Sequence, residues 1–346
     1  MKELYELLTS LNPNCDNRLL TVIDGEYRGE KLLLSDHKCV WQSSADGFFA
    51  KHPEVTEQTD SGLLQTDEAG VYAEQITGGK KIVICGAGHV GIAIARIGKM
   101  IGCDVTVIDD RMSFADQARE AGVNVICDAF TEALKQIPGD ANTWFVIVTR
   151  GHKWDKVCLK EIAQKPHAYI GLMGSRRRVK IVMQNLAEEG IDPEVLSRVY
   201  TPVGLKIGAE TPEEIAVSVM AEIIQVKNQS GKDSGYPRDI LEAILGDHHE
   251  EQADSSAPRI LMTIVNRKGS APREAGAKMV LLEDGYTTAG TIGGGCVEAD
   301  TLVRARRMLQ EPECGAELLH VNMTAEEAEE EGMVCGGTVD ILLEKI

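Results

Sequence analysis

One hexapeptide, Gly86-Ala-Gly-His-Val-Gly91, constrains this chain more than any other feature. The pattern G-x-G-x-x-G alone is common. Here it follows an apolar run, Lys81–Cys85, and opens an amphipathic stretch. A second apolar run, Asp104–Ile108, then ends in Asp109. Strand, glycine turn, helix, strand and acid is the order of a dinucleotide-binding βαβ unit, with the acid about 20 residues after the turn. Gly86 permits the tight turn, Gly88 lets a diphosphate approach the backbone, and Gly91 lets helix and strand pack closely. The helix N-terminus adds N–H donors and a partial positive charge. His89 reads as a solvent-facing residue of the first turn. Further Val- and Ile-rich runs at Asn124–Cys127, Trp144–Thr149 and Ala168–Leu172 alternate with helical patterns. That alternation predicts a parallel sheet with helices on both faces. A helix over Pro212–Lys227 closes the block, with Thr211 as N-cap, Pro212 in the first turn and Glu214 completing a capping box.

The resulting fold class is α/β. A Rossmann-like domain spans residues 78–228, and a smaller, mixed α+β, cysteine-bearing domain spans 259–346. A linker and helix lie at 229–258. Residues 1–77 read as a degenerate copy of the C-terminal unit. Both outer blocks open with a helix, then place Arg-x-Leu before a strand (Arg18 and Arg259). Both continue with Gly-x-Lys and three apolar residues (Gly29–Leu34 and Gly276–Leu281), and both end in Glu-x-Ile (Glu74–Ile76 and Glu344–Ile346). Coincidence among generic strand patterns is the alternative. If the repeat is real, chemistry sits in the later copy, because the earlier one lacks its glycine and cysteine motifs. An interface role in a homodimer is then the natural expectation for the first block.

Charge excludes some functions. With 36 Lys and Arg against 54 Asp and Glu, the net charge is −18. Such a surface repels phosphate backbones and anionic lipid heads, so neither nucleic acid nor a membrane is an expected partner. The nine cysteines form no Cys-x-x-Cys pair, no apolar run reaches 18 residues, and the first residues carry no export signal. The expectation is a cytoplasmic protein with reduced thiols.

Five segments carry candidate chemistry. His152 and Asp155 follow the fourth strand, where open α/β sheets place ligands; they can bind substrate or metal, or simply belong to a polar loop. Ser175 and Arg176–Arg178 open a helix after the next strand and suit an anion, the alternative being an exposed basic face. Gly293-Gly-Gly-Cys-Val-Glu298 puts Cys296 at a helix start, where a thiol gains thiolate character. Glu298 fits either a base or a cap. Cys335-Gly-Gly337 is a second thiol beside a flexible turn. Ser270 and Arg273, in Gly269-Ser-Ala-Pro-Arg-Glu274, are candidates for holding an anion; the alternative is a proline turn. The other cysteines beside strands, such as Cys85 and Cys158, read as small buried hydrophobes.

This motif set resembles the XdhC/CoxI family of xanthine dehydrogenase accessory factors. The match rests on Gly86–Gly91, Val107-Ile-Asp-Asp-Arg111, Gly171-Leu-Met-Gly-Ser-Arg-Arg-Arg178, Pro202–Gly208 and Thr211–Ser218. In the last block it rests on Gly269–Arg273, Gly294–Glu298 and Cys335–Gly337. The resemblance implies a maturation factor for molybdenum hydroxylases. Such a factor binds the molybdenum cofactor (molybdopterin), protects it during sulfuration and delivers it to apo-xanthine dehydrogenase or a related hydroxylase of purine catabolism. A cysteine desulfurase is then a further partner. It implies that Cys296 and Cys335 handle metal or sulfur, and that Gly86, Gly88, His89, Gly91, Asp109, Arg111, His152, Ser175, Arg176, Ser270 and Arg273 serve the cofactor. In the common arrangement the cysteine-bearing domain precedes the Rossmann domain; here it follows. The alternative function is an NAD(P)-dependent oxidoreductase that uses Gly86–Gly91 and Asp109. A third reading keeps the Rossmann domain only as a docking platform.

Overall fold

The computed structural model describes residues 1–57, 61–229, 235–246, 257–269, 273–311, 314–322 and 337–346. They divide into two compact units, Gly79–Asp233 and Met1–Gly78 with Ser234–Ile346. The two outer blocks of the sequence therefore form one unit.

The first block holds α1 (Lys2–Ser10), β1 (Asn17–Val22), β2 (Lys31–Ser35), β3 (Lys38–Gln42), α2 (Phe48–Lys51), β4 (Gly62–Gln65) and β5 (Gly70–Gln75). All its strands pair antiparallel in the order β3-β2-β1-β5-β4.

The middle unit runs β6 (Lys81–Cys85), α3 (His89–Met100), β7 (Asp104–Ile108), α4 (Met112–Glu120), β8 (Asn124–Ile126), α5 (Phe130–Lys135) and β9 (Thr143–Ile147). It continues with α6 (His152–Ile162), β10 (Tyr169–Leu172), α7 (Arg176–Glu188), α8 (Pro193–Ser197) and α9 (Pro212–Gln229). Its sheet is parallel, β10-β9-β6-β7-β8, and Tyr200 adds a parallel bridge to Gly171 beyond β10. The opening strand is central and the chain reverses direction between β8 and β9, which is the Rossmann order. The apolar runs lack hydrophobic–polar alternation because both faces are covered. Val83, Cys85, Phe145 and Ile147 face one core, and Ile82, Ile84, Trp144 and Val146 face the other.

The last block holds α10 (Arg238–Leu245), β11 (Ile260–Lys268), β12 (Lys278–Leu281), β13 (Thr288–Gly290), α11 (Gly295–Gln310), β14 (Ala316–Asn322) and β15 (Thr338–Lys345). Its sheet is antiparallel in the order β13-β12-β11-β15-β14. Helix α11 lies on one face over Met262, Ile264, Met279 and Ile341. Strand pairing amends one detail of the sequence comparison. Leu19 lies opposite Glu74 and Leu261 opposite Glu344, so Arg18 corresponds to Ile260 and not to Arg259.

Candidate functional site

In the middle unit the site is built at the carboxyl end of the parallel strands. Gly86 has φ +119°, and a Cβ there would come 2.6 Å from the Val148 carbonyl oxygen. Gly91 packs so closely that a Cβ would lie 1.9 Å from the Gly86 carbonyl oxygen. Gly88 is the opposite case, with nothing within 4 Å of a Cβ. The three glycines thus make a turn, a close contact and an open approach. Helix α3 begins without a side-chain cap, as do α6 and α7, whereas Asp192 caps α8. Thr211 and Glu214 cap α9 reciprocally, as its sequence predicted. Helices α4 and α5 also begin without a side-chain cap, so every helix that directly follows a parallel strand starts uncapped at the carboxyl edge of the sheet. Their first N–H groups are available to an anion.

Asp109 does not act as a ribose acid in this structure. It is 1% exposed. One oxygen accepts the Ala87 N–H at 2.8 Å and Arg111 Nη2 at 2.9 Å; the other accepts the Arg111 N–H at 3.0 Å and Nε at 2.8 Å. A carboxylate offers about four lone-pair positions, and all are taken. Asp109 instead ties β7 to the glycine loop. The guanidinium of Arg111 stacks over Phe114 at 3.5 Å from the ring centroid. Beside it Arg150 grips Asp110 at 2.5 and 2.8 Å and holds that carboxyl below its ordinary pKa. Sequence reasoning missed Arg150, whose only signal was its place after the fourth strand.

The His152–Asp155 pair separates. His152 is exposed at the start of α6. Asp155 is buried, accepts Thr149 Oγ1 at 2.5 Å and takes Arg178 Nη2 at 2.6 Å. Burial pushes its pKa up despite those partners. Arg178 is thereby spent on positioning α7, which leaves Ser175, Arg176 and Arg177 exposed at the helix start. Among the described residues, no cluster of three or more His, Cys, Asp or Glu is placed to hold a metal ion.

The second site belongs to the outer unit. Gly293, Gly294 and Gly295 have φ of +129°, +74° and +60°, a run that only glycine adopts at low cost. Cys296 follows as the second residue of α11 and is partly buried. Glu298 resolves as the cap. One of its oxygens accepts the N–H groups of Ile292, Gly293 and Gly294 at 3.0, 3.2 and 2.9 Å, and the Thr291 hydroxyl as well. Burial works to raise its pKa, but the Thr291 hydroxyl and the backbone donors outweigh it, and the net shift is downward. A carboxylate so held is a weak base, which favours the capping role over a catalytic one. Cys335 and Ser270 lie outside the described residues; Arg273 is exposed. Lys268 at the end of β11 pairs with Thr338 at the start of β15, and Met279 near the start of β12 pairs with Gly290 at the end of β13. The segments carrying Arg273 and Cys296 thus leave the same end of the sheet.

The fold defines a class of protein: a Rossmann unit carried on one chain with a cysteine-bearing antiparallel unit. Residues 82–223 match the XdhC Rossmann domain, and residues 253–322 match the XdhC and CoxI family. The chain belongs to the XdhC and CoxI family. It is 36% identical over 152 residues to the uncharacterized protein YqeB of Escherichia coli (strain K12), covering 43% of this chain and 28% of that protein. It is 32% identical over 195 residues to a probable xanthine dehydrogenase subunit of Bacillus subtilis (strain 168), covering 53% and 56%. The chain thus spans less than two thirds of both relatives. A solved xanthine dehydrogenase from Bacillus halodurans shares the fold at a TM-score of 0.54 and 21% identity, over 69% of each chain. No helix among the described residues is long and apolar enough to cross a membrane.

Proposed function

We propose that this chain is a maturation factor that binds the molybdenum cofactor, shelters it while a terminal sulfido ligand is installed, and passes it to xanthine dehydrogenase or a related molybdenum hydroxylase. The observation that carries this reading is Gly88, an open backbone position at an uncapped helix start. A phosphate-bearing ligand fits there, because no side chain fills the space and N–H donors face it. The exposed Arg176 and Arg177 supply positive charge to the same edge of the sheet. In the other unit, Cys296 offers a soft thiol donor at a helix start. The cofactor supplies a molybdenum centre on a dithiolene. Of the chain's own residues, the glycine loop would bind the cofactor's anionic end, and Cys296 presents a thiol.

The nicotinamide reading is weaker, since Asp109 has no lone pair left for a ribose diol. To test the proposal, the protein is purified anaerobically from a cofactor-producing host and assayed for molybdenum and fluorescent pterin oxidation products. Both are expected. Gly88→Val should lose the pterin with the fold intact by circular dichroism, and Cys296→Ala should retain pterin but fail to support client activation. Absence of pterin and molybdenum from the unaltered protein, or client activation undiminished by Cys296→Ala, overturns the reading.

A further inference from the structure

The two outer blocks share more than a sequence pattern. Numbered within each block, both sheets have the strand order 3-2-1-5-4, wholly antiparallel. The registers also agree. Thr21 lies opposite Lys31 and Tyr72, and Thr263 lies opposite Lys278 and Leu342. Position by position, Lys31 corresponds to Lys278 and Glu74 to Glu344. The contacts between the blocks then cross over. Lys31 Nζ reaches Glu344 at 2.9 Å, and Lys278 Nζ reaches Glu74 at 2.5 Å. All four side chains are at most 4% exposed. Residue i of one copy meets residue j of the other, and j meets i, which is the mark of an isologous two-fold interface.

The apolar contacts repeat this exchange. One cluster joins Leu19 and Leu33 to their counterparts Leu261 and Val280, together with α1 and α10. Another joins Ile23 and Tyr72 to their counterparts Val265 and Leu342. On the opposite faces the copies differ. The last block carries the 16-residue α11 with Cys296, and the first carries only the four-residue α2, with Phe48 and Phe49 filling the sheet's outer face.

We infer that residues 1–77 and 235–346 are two copies of one unit paired across an internal two-fold, the first standing where a second cysteine-bearing copy would otherwise dock. The inner face of the last block is self-complementary: it holds both the lysine and the glutamate that a second copy of itself would require. The internal copy occupies that face, and each such pair carries one Cys296 loop instead of two.

The test uses the full chain with a specific protease site inserted in the 229–235 segment. After cleavage the two pieces should remain one species in sedimentation and size exclusion. Lys31→Glu with Glu74→Lys sets like charges at both crossings and should part the cleaved pieces. Adding Glu344→Lys and Lys278→Glu should reunite them. If the reversed protein fails to fold, Lys31→Met with Glu74→Gln replaces it; the association should weaken at least tenfold, and adding Glu344→Gln with Lys278→Met should restore it. In the uncleaved chain, Lys31→Met and Lys278→Met should each lower the thermal midpoint. Pieces that separate without any substitution, charge reversals that leave them joined or are not rescued, or a midpoint unmoved by either lysine substitution would overturn the inference.

Discussion

Neighbouring glycines of one motif have opposite tolerances, and this can be read residue by residue. Gly91→Ala drives a methyl into the Gly86 carbonyl and should destabilise the middle unit by about 1–3 kcal/mol, measured by urea denaturation. Gly88→Ala meets nothing and adopts an extended backbone at φ −71°. It should leave stability within about 0.5 kcal/mol while weakening pyrophosphate binding in calorimetry. Glu298 gives a third case. Glu298→Ala orphans three loop N–H groups and should lower stability by about 1–3 kcal/mol, with faster alkylation of Cys296. The pH dependence follows from its depressed pKa in the fold. The clamp contributes fully above the ordinary glutamate value of about 4.3, and its contribution is lost as pH falls through the lower, folded value. A titration of the unfolding midpoint showing Glu298→Ala and the parent equally acid-sensitive would contradict this. At this scale the tight turn at Gly86, the close packing at Gly91 and the helix start beside Cys296 were legible in the sequence. Asp109 was misassigned, because spacing shows where an acid falls and not how many donors already surround it. Arg111, two residues on, was the missing information.

At the scale of elements, helix α9 was legible because its signals are local: an N-cap, a proline in the first turn and a glutamate three residues after the cap. Thr211→Ala should cost about 1 kcal/mol, seen as a lower thermal midpoint of the middle unit. The buried parallel strands were also legible, since burial on both faces leaves an uninterrupted apolar run. Two edge strands of the antiparallel sheets were not. Lys38–Gln42 is mostly exposed, and Thr288–Gly290 is only three residues long. Edge strands are short and polar in order to discourage pairing with other chains, which removes the pattern that would reveal them. The repeat was half legible for a related reason. Lys31, Lys278, Glu74 and Glu344 stood out as shared letters, but their partners lie in the other copy, and no local pattern reports a contact between residues 313 positions apart.

For the whole molecule, the buried crossings join the two ends of the chain. Residues 1–78 and 234–346 form one compact unit, with the complete Rossmann unit inserted between them. The middle unit can fold from its own contiguous segment. The first block cannot complete its core until the last strands exist. At typical synthesis rates of about 5–20 residues per second, Leu19, Leu33 and Lys31 wait tens of seconds for Leu261, Val280 and Glu344. During that time the first block's apolar sheet face has no partner to cover it. A message truncated after the Rossmann unit would therefore yield a product with one sound domain and one adhesive one. The outer unit depends on residues 260–346 to conceal what residues 1–78 display.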